Sequence, residues 1–400
     1  MFRLFILAFI LSPILSAATE PDAIHIRINQ MGYLPKEPKI ALLFSNNTIA
    51  EKILLVNTVE NRVIARFRPK KSNKKGWGTF KFYYELDFSA ISEEGEYRLQ
   101  TKNASSASPK FKISSVTYNY ESEQLLGFMR QQRCGYNPFF DIVCHQLDGR
   151  SFYGPMPDST FVDTAGGWHD AGDQLKYLIT GSYATAHMLK AYELFPETFV
   201  DSCNHLGQPI SNDIADVLDE AKWGLDWILK LQSHPGQLIH QIADDRDHRG
   251  WKMPDNDHSD YGWGPNGYRA AYFATGSPQG LNKYKSEATG IANLAGRSAA
   301  AMAIAARIWK KDLQDSIFAA ICLKAAKSLY KLGKEKEGYQ QGNSYGAPNR
   351  YNDKTWADDM EWGAAELYKT TKNKAYLEDA KKYAIMANTV SWMPYDSVPH

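Results

Sequence analysis

The sequence predicts two domains of different class, a β-sandwich over roughly the first quarter of the chain and an all-α domain over the rest. Three observations carry that reading. From Ile24 to about Ser114 short apolar runs alternate with polar residues, the period of half-buried strands. Near Val116 the period lengthens to that of amphipathic helices and stays there. A length of 400 residues also exceeds what one core usually organises. The expected boundaries are 1–18 for a leader, 22–115 for the sandwich and 116–400 for the helical domain.

The leader, "MFRLFILAFILSPILSAATE", carries Arg3, an apolar run from Leu4 to Leu15, and then Ser16-Ala17-Ala18. A basic start, a short apolar stretch and small residues at the cut describe a secretory signal peptide, too short to span a bilayer. No cysteine follows the run to take a lipid anchor, and no later stretch is long and apolar enough to be read as a span. A secreted or periplasmic protein is expected.

The strands come next. "IHIRIN", "KIALLF", "EKILLV", "RVIARFR", "FKFYYELDF", "EYRLQT" and "KFKIS" read as about seven strands at sandwich spacing, separated by Asn46-Asn47, Asn73, Gly76, Gly78 and Gly95. An immunoglobulin-like sandwich fits, and with no cysteine here it must stand without an inter-sheet disulfide. The helical pattern opens with "YNYESEQLLGFMRQQRCG" and recurs at about 174–195, 212–232, 287–309, 312–332, 357–370 and 374–391. Loops 134–172 and 233–286 interrupt it, rich in Gly, Asp, His and aromatic residues. Loops so long are usually functional, so the chemistry belongs there. Seven helices are an odd number for antiparallel pairing, and "SWMPYDSVPH" offers no terminal element, so a fragment of a longer chain is expected.

Lys plus Arg number 46 against 45 Asp plus Glu, which gives no field to attract nucleic acid or an anionic membrane. Ten Trp and 23 Tyr suit the flat faces of sugars, and equally a core. Among the four cysteines, Cys134 and Cys144 lie near His145 and His169. Two thiolates and two imidazoles make a tetrahedral zinc set that would pin the 134–172 loop. The alternative is a Cys134–Cys144 disulfide with two unrelated histidines, since the spacing is not that of a zinc finger. Cys322 lies in an amphipathic helix and reads as core, and Cys203 sits in a polar connection with no assigned role.

"AGGWHDAGDQLKY", residues 165–177, places Asp170 and Asp173 three apart among glycines, beside Trp168 and His169. One reading is a cap for the helix beginning near Gln174. One cap does not need two carboxylates, however, and paired acids on a loop also suit a general base with a companion that orients it. A divalent-metal site is a third reading.

"GGWHDAGDQLKY" closely resembles the aspartate motif of glycoside hydrolase family 9, whose members are mostly secreted β-1,4-glucanases. "RINQMGYLP" and "EEGEYRL" resemble the immunoglobulin-like module that precedes the catalytic domain in one branch. "LDEAKWGLDWILKLQ" is similar to a helix after the motif, "DDRDHRGWKMPD" to the substrate loop, and "YNDKTWADDMEWGAAELYKTT" to a later calcium-and-substrate segment. The resemblance implies an (α/α)6 barrel, here incomplete, behind the sandwich. It implies Asp173 as general base, Asp170 as holder of the attacking water, and structural zinc on Cys134, Cys144, His145 and His169. It further implies sugar contacts at His248, Trp251 and Tyr351, and calcium at Asp358 and Asp359, the latter standing where many relatives have Glu. Adjacent acids at a helix start also simply complement its dipole. "DNDHSD" at 255–260 resembles a calcium loop but lacks its glycine and distal glutamate, and is set aside.

The expected activity is therefore that of an inverting endo-β-1,4-glucanase acting on cellulose or a related β-glucan as a monomer. The family's general acid, a glutamate near the C-terminus, has no match here and is expected beyond residue 400; Glu361 and Glu366 are not promoted to that role. Exo action on amino-sugar or xyloglucan oligosaccharides is the alternative within the fold. Carbohydrate binding without turnover is the alternative outside it.

Overall fold

The computed structural model describes residues 23–73, 78–119, 121–232, 234–264 and 268–387. The signal peptide expected at residues 1–18 lies outside them. The chain divides into two compact units, Met1–Tyr120 and Glu121–His400.

In the first unit β1 (His25–Arg27), β2 (Ile40–Ser45), β3 (Ile53–Asn57), β4 (Arg62–Phe67), β5 (Lys70–Lys71), β6 (Phe82–Asp87), β7 (Gly95–Gln100) and β8 (Phe111–Ile113) form two four-stranded antiparallel sheets. Their orders are β1-β2-β6-β5 and β4-β3-β7-β8. One core joins them: Ile26, Leu43 and Leu86 from one sheet meet Leu55, Tyr97, Leu99 and Phe111 from the other. Each apolar run identified in the sequence becomes a strand. The addition is β5, whose two lysines at a sheet edge carry no period to detect and resist pairing with another chain.

The second unit holds α1 (Glu121–Gln131), α2 (Leu178–Leu194), α3 (Asp216–Leu231), α4 (Ala292–Lys311), α5 (Ser316–Glu335), α6 (Ala357–Thr371) and α7 (Lys374–Ala387) among the described residues. Helix α4 packs against α2, α5 and α6 and is buried along nearly its whole length. "AGRSAAAMAIAARIW" has the small residues that let neighbours come close. A Cβ on Gly296 would lie 2.5 Å from the Asp359 backbone, and one on Gly363 would lie 2.7 Å from the Gly296 carbonyl, so α4 and α6 meet almost backbone to backbone. Helix α5 is capped by Asp315, whose carboxylate accepts the Ile317 and Phe318 N–H groups.

Two local expectations need correction. Helix α2 begins at Leu178 rather than Gln174, because Gln174 takes a positive φ of 62° and Lys176–Tyr177 form a short strand. The long loops are also not wholly irregular. They contain the hairpin β9 (Tyr136–Asn137) and β10 (Ile142–Val143) and a mixed sheet of β11 (Arg150–Phe152), β12 (Lys176–Tyr177), β13 (Ile239–Ile242) and β14 (Ala270–Phe273), in the order β11-β14-β13-β12. Pieces of two to four residues are too short to announce a period. No described helix is long and apolar enough to cross a membrane.

Candidate active site and metal cluster

The segment from Thr164 to Tyr177 supplies two sites. Gly166 and Gly167 turn it with φ of 111° and 69°, and a Cβ on Gly167 would lie 2.5 Å from the Trp227 ring, so glycine is required there on both counts. Trp168 is buried, with Nε1–H donating to Glu220 at 2.8 Å, while Glu220 also takes a two-pronged ion pair from Arg133. The tryptophan of the motif is thus part of the scaffold, not of a sugar platform.

His169 joins Cys134, Cys144 and His145 in a buried cluster whose ligand atoms all lie within 4.8 Å of one another. Both cysteines are free, so the disulfide alternative is not what this geometry contains. His169 Nε2 stands 3.3 Å from His145 Nδ1 and 3.8 Å from Cys144 Sγ. The far nitrogen of His145, Nε2, bonds Asp257 at 2.9 Å, the outer-shell carboxylate that commonly orients a ligating imidazole. Burial alone would push the Cys134 thiol up, but the hydrogen bond from Cys144 and the Lys176 charge bring it well below the usual thiol range. Lys176 Nζ donates to Cys134 Sγ at 3.1 Å and pairs with Asp148 at 2.9 Å; Asp148 in turn receives both prongs of Arg269. The donor set and the thiolate both suit a soft divalent cation.

Asp170 and Asp173 look elsewhere, and neither caps α2, whose N-cap is Tyr177 without a side-chain bond. Asp170 accepts hydrogen bonds from Thr180 Oγ1 at 3.1 Å and from Tyr351 Oη at 3.0 and 2.9 Å. Its carboxyl is held above the usual range by burial, against the pull of those two hydroxyls and with the help of the nearby Asp173 charge. Asp173 accepts the Leu175 N–H at 3.2 Å and bonds His248 Nε2 at 2.6 Å. On the other side of the imidazole, the Asn349 amide meets Nδ1 at 3.4 Å, which leaves Nε2 to carry the proton toward Asp173. Trp251 is 91% exposed, yet its ring lies so close over Gly172 that a Cβ there would sit 1.8 Å from it. Tyr351 stacks edge-on against Tyr177 at 4.9 Å. The structure therefore gathers Asp170, Asp173, His248, Trp251 and Tyr351 around one loop.

Asp358 and Asp359 stand apart from this group. Asp359 is buried against Arg297, with Oδ2 2.7 Å from the guanidinium. They line a cavity of about 500 Å³ with Tyr183, His187, Glu361 and Trp362. A cation already occupies Asp359, and among the described residues the pair joins no group of three metal-binding side chains. Glu366 is committed to Arg307 at 2.5 Å and to Lys190 at 3.5 Å.

Thr180, Asn349, Lys176, Asp148 and Arg269 escaped the sequence reading, and Asp257 was met only as part of the calcium-like segment set aside. Lys176 lies inside the motif, and a lysine in so apolar a neighbourhood was the one signal available. Thr180 follows the motif on α2, and Asn349, Asp148 and Arg269 come from distant segments; none carries a local pattern.

The description "Glycosyl hydrolase family 9" matches residues 118–399, and "Cellulase N-terminal ig-like domain" matches residues 22–106. Endoglucanase D of Acetivibrio thermocellus is 28% identical over 370 residues, which cover 90% of this chain and 53% of the relative. A xyloglucan-specific endo-beta-1,4-glucanase of Bacteroides ovatus is 27% identical over 386 residues, covering 90% of this chain and 60% of the relative. Among solved structures, a metagenome-derived family 9 endoglucanase superposes with a TM-score of 0.71 at 27% identity, over 92% of this chain and 66% of that one. A zinc-binding triple mutant of another family 9 endoglucanase gives 0.68 at 25% identity, over 90% and 65%. The chain spans about half the length of the curated relatives it matches. With 118–399 matched, the chain belongs to glycosyl hydrolase family 9 and carries that family's immunoglobulin-like domain ahead of its helical one.

Proposed function

We propose that this protein is an exported, inverting glycoside hydrolase that cleaves β-1,4-glucosidic bonds in cellulose or a related β-glucan, working as a monomer. The observation that carries the reading is the pair Asp170 and Asp173, released from helix capping and placed beside an exposed tryptophan and two further polar rings. Asp173 draws the proton from water as it attacks the acetal carbon, while His248 Nε2–H steadies its second oxygen. Asp170, fixed by Tyr351 and Thr180, holds that water. Trp251 offers a flat apolar face to a sugar ring. Inversion needs a second carboxyl across the bond, about 6.5–9.5 Å from the first. Asp170 and Asp173 sit on one loop, so we place that acid outside the described residues.

In the same reading the units are an immunoglobulin-like sandwich at 22–115 and the helices of an (α/α)6 barrel from 116 onward. Zinc occupies the Cys134, Cys144, His145 and His169 cluster and supplies structural cross-linking of the loop, with no part in the chemistry. The relative from Bacteroides ovatus supports xyloglucan as a second substrate to test. The test is hydrolysis of a soluble mixed-linkage glucan and of xyloglucan, followed by NMR of the first-formed sugar. An α-anomer as the initial product is expected; a β-anomer would overturn inversion, and binding without product would overturn hydrolysis.

A further inference from the structure

The segment Asp255–Asp260, set aside as a calcium loop, has a different use. Asp257 is buried and stands between two parts of the unit. Its Oδ2 meets His145 Nε2 at 2.9 Å, behind the cluster. Its Oδ1 accepts Lys252 Nζ at 2.7 Å and the Ser259 N–H at 2.9 Å. Lys252 Nζ also holds Asp247 at 3.2 Å and Ser259 Oγ at 2.9 Å, and the Ser259 hydroxyl reaches Asp247 as well. Asp247 completes its set with Arg269 at 2.7 Å.

These contacts flank His248 and Trp251, residues of the proposed glucan cleft. Asp247 immediately precedes His248, and Lys252 immediately follows Trp251. The Lys252 carbonyl accepts the Gln174 side chain at 2.8 Å, and the Gln174 carbonyl accepts Arg269 at 2.8 Å, so the same knot ties the aspartate loop just past Asp173. Between Lys252 and Asp247 the chain is exposed, with His248, Arg249, Gly250 and Trp251 in solvent. Besides the bond of His248 to Asp173 and the packing of Trp251 over Gly172, both are anchored by the buried knot at their two ends, and Asp257 is where that knot reaches a residue of the cluster.

We propose that Asp257 is a positioning residue that makes the posture of residues 245–259, and with it His248 and Trp251, depend on whether the Cys134, Cys144, His145 and His169 cluster holds its metal. The proposal rests on the reading of that cluster as a metal site. A cation on Nδ1 of an imidazole makes the opposite N–H a stronger and better-aimed donor. His145 is oriented to pass that change to Asp257, and Asp257 passes it to Lys252 and Ser259.

The test compares zinc-loaded and chelator-stripped full-length protein by hydrogen exchange, a readout that needs no substrate. Stripping is expected to speed exchange in peptides covering 245–259 by about tenfold or more, with the sandwich strands unchanged as internal control. In Asp257→Asn the same stripping is expected to change that exchange by less than about twofold. The variant should still give the thiolate charge-transfer band of bound cobalt(II), which shows that the cluster loads. Lys252→Met, which leaves the His145 contact intact, should lose the coupling in the same way and serves if Asp257→Asn does not fold. On a soluble β-glucan Asp257→Asn should raise KM by about tenfold through Trp251 and lower kcat as well through His248. An unaltered 245–259 segment on stripping wild type, or equal sensitivity in the variants, overturns the proposal. Absence of any glucan turnover would count against the proposed activity and leave the exchange result standing.

Discussion

One loop serves two sites built on opposite lines. On the cluster side, Cys134, His169, Lys176, Asp148 and Arg269 are buried, and the charges among them are matched pair by pair. On the cleft side, Asp170 and Asp173 are only partly covered and Trp251 is 91% exposed. A buried charge is tolerated only with its partner in place, so the first side is rigid and expensive to disturb. A base must keep a lone pair for substrate, so the second stays under-partnered. The difference teaches that neighbouring residues of one short segment meet different demands: His169 and Lys176 are built into the buried network, while Asp170 and Asp173 stay accessible for the proposed chemistry.

Substitutions on the two sides should therefore fail in different ways. The largest effect is expected from Asp173→Asn, with kcat down about 10²–10⁴-fold and unfolding stability within about 0.5 kcal/mol of wild type. Steady-state kinetics beside a urea titration reads both; a loss of stability as large as the loss of rate would erase the distinction. Arg269→Met makes the reverse case. It strands Asp148 and Asp247 without their guanidinium and should cost about 3–5 kcal/mol of stability in the same titration. A stable variant would mean that Lys176 and Lys252 suffice to hold those carboxylates.

How much of this was legible in the sequence follows from how local each signal is. The sandwich strands and the helices are periodic over many residues and were readable as elements, though α2, α3, α4 and α5 begin about four or five positions later than read. At α2 the reason is that two residues of β12 are ordered by pairing with β13, more than sixty positions away. The motif drew attention to Asp170 and Asp173, and ligand chemistry alone assembled the cysteine and histidine set. Of the side chains that set their geometry, Thr180 follows the motif on α2, while Asn349, Asp257 and Arg269 arrive from segments brought together only by the fold. The pairing of Asp359 with Arg297, on α4, was out of reach of the sequence for the same reason.

Gly172 lies where the two sides meet. Alanine there would drive a Cβ into the Trp251 ring, and the exposed indole rather than the buried loop has room to give. Gly172→Ala is expected to lower affinity for a cello-oligosaccharide by about 1–3 kcal/mol, read by calorimetry, with the cobalt(II) band of the cluster unchanged. A lost band would show that the cleft and the cluster share more than the Asp257 link.

The finest test concerns Tyr351, whose hydroxyl bonds Asp170 and whose ring packs against Tyr177. Burial raises the Asp170 carboxyl, and the Tyr351 and Thr180 hydroxyls oppose that rise by donating to its charged form. Removing one donor in Tyr351→Phe should raise it further, because a hydroxyl that favours the charged form is lost. If Asp170 must be ionised to hold water, the acid limb of kcat/KM moves up with it. Folding responds in a linked way. A carboxyl whose folded pKa lies above its unfolded value binds more protons in the native state, so its contribution is complete below the unfolded pKa. It fades as pH rises through the folded one. Tyr351→Phe should extend that fading to higher pH, and Asp170→Asn should abolish it. An acid limb that stays put while the stability profile moves would separate the two roles, leaving Asp170 as a titrating residue of the fold and Asp173 alone in the chemistry.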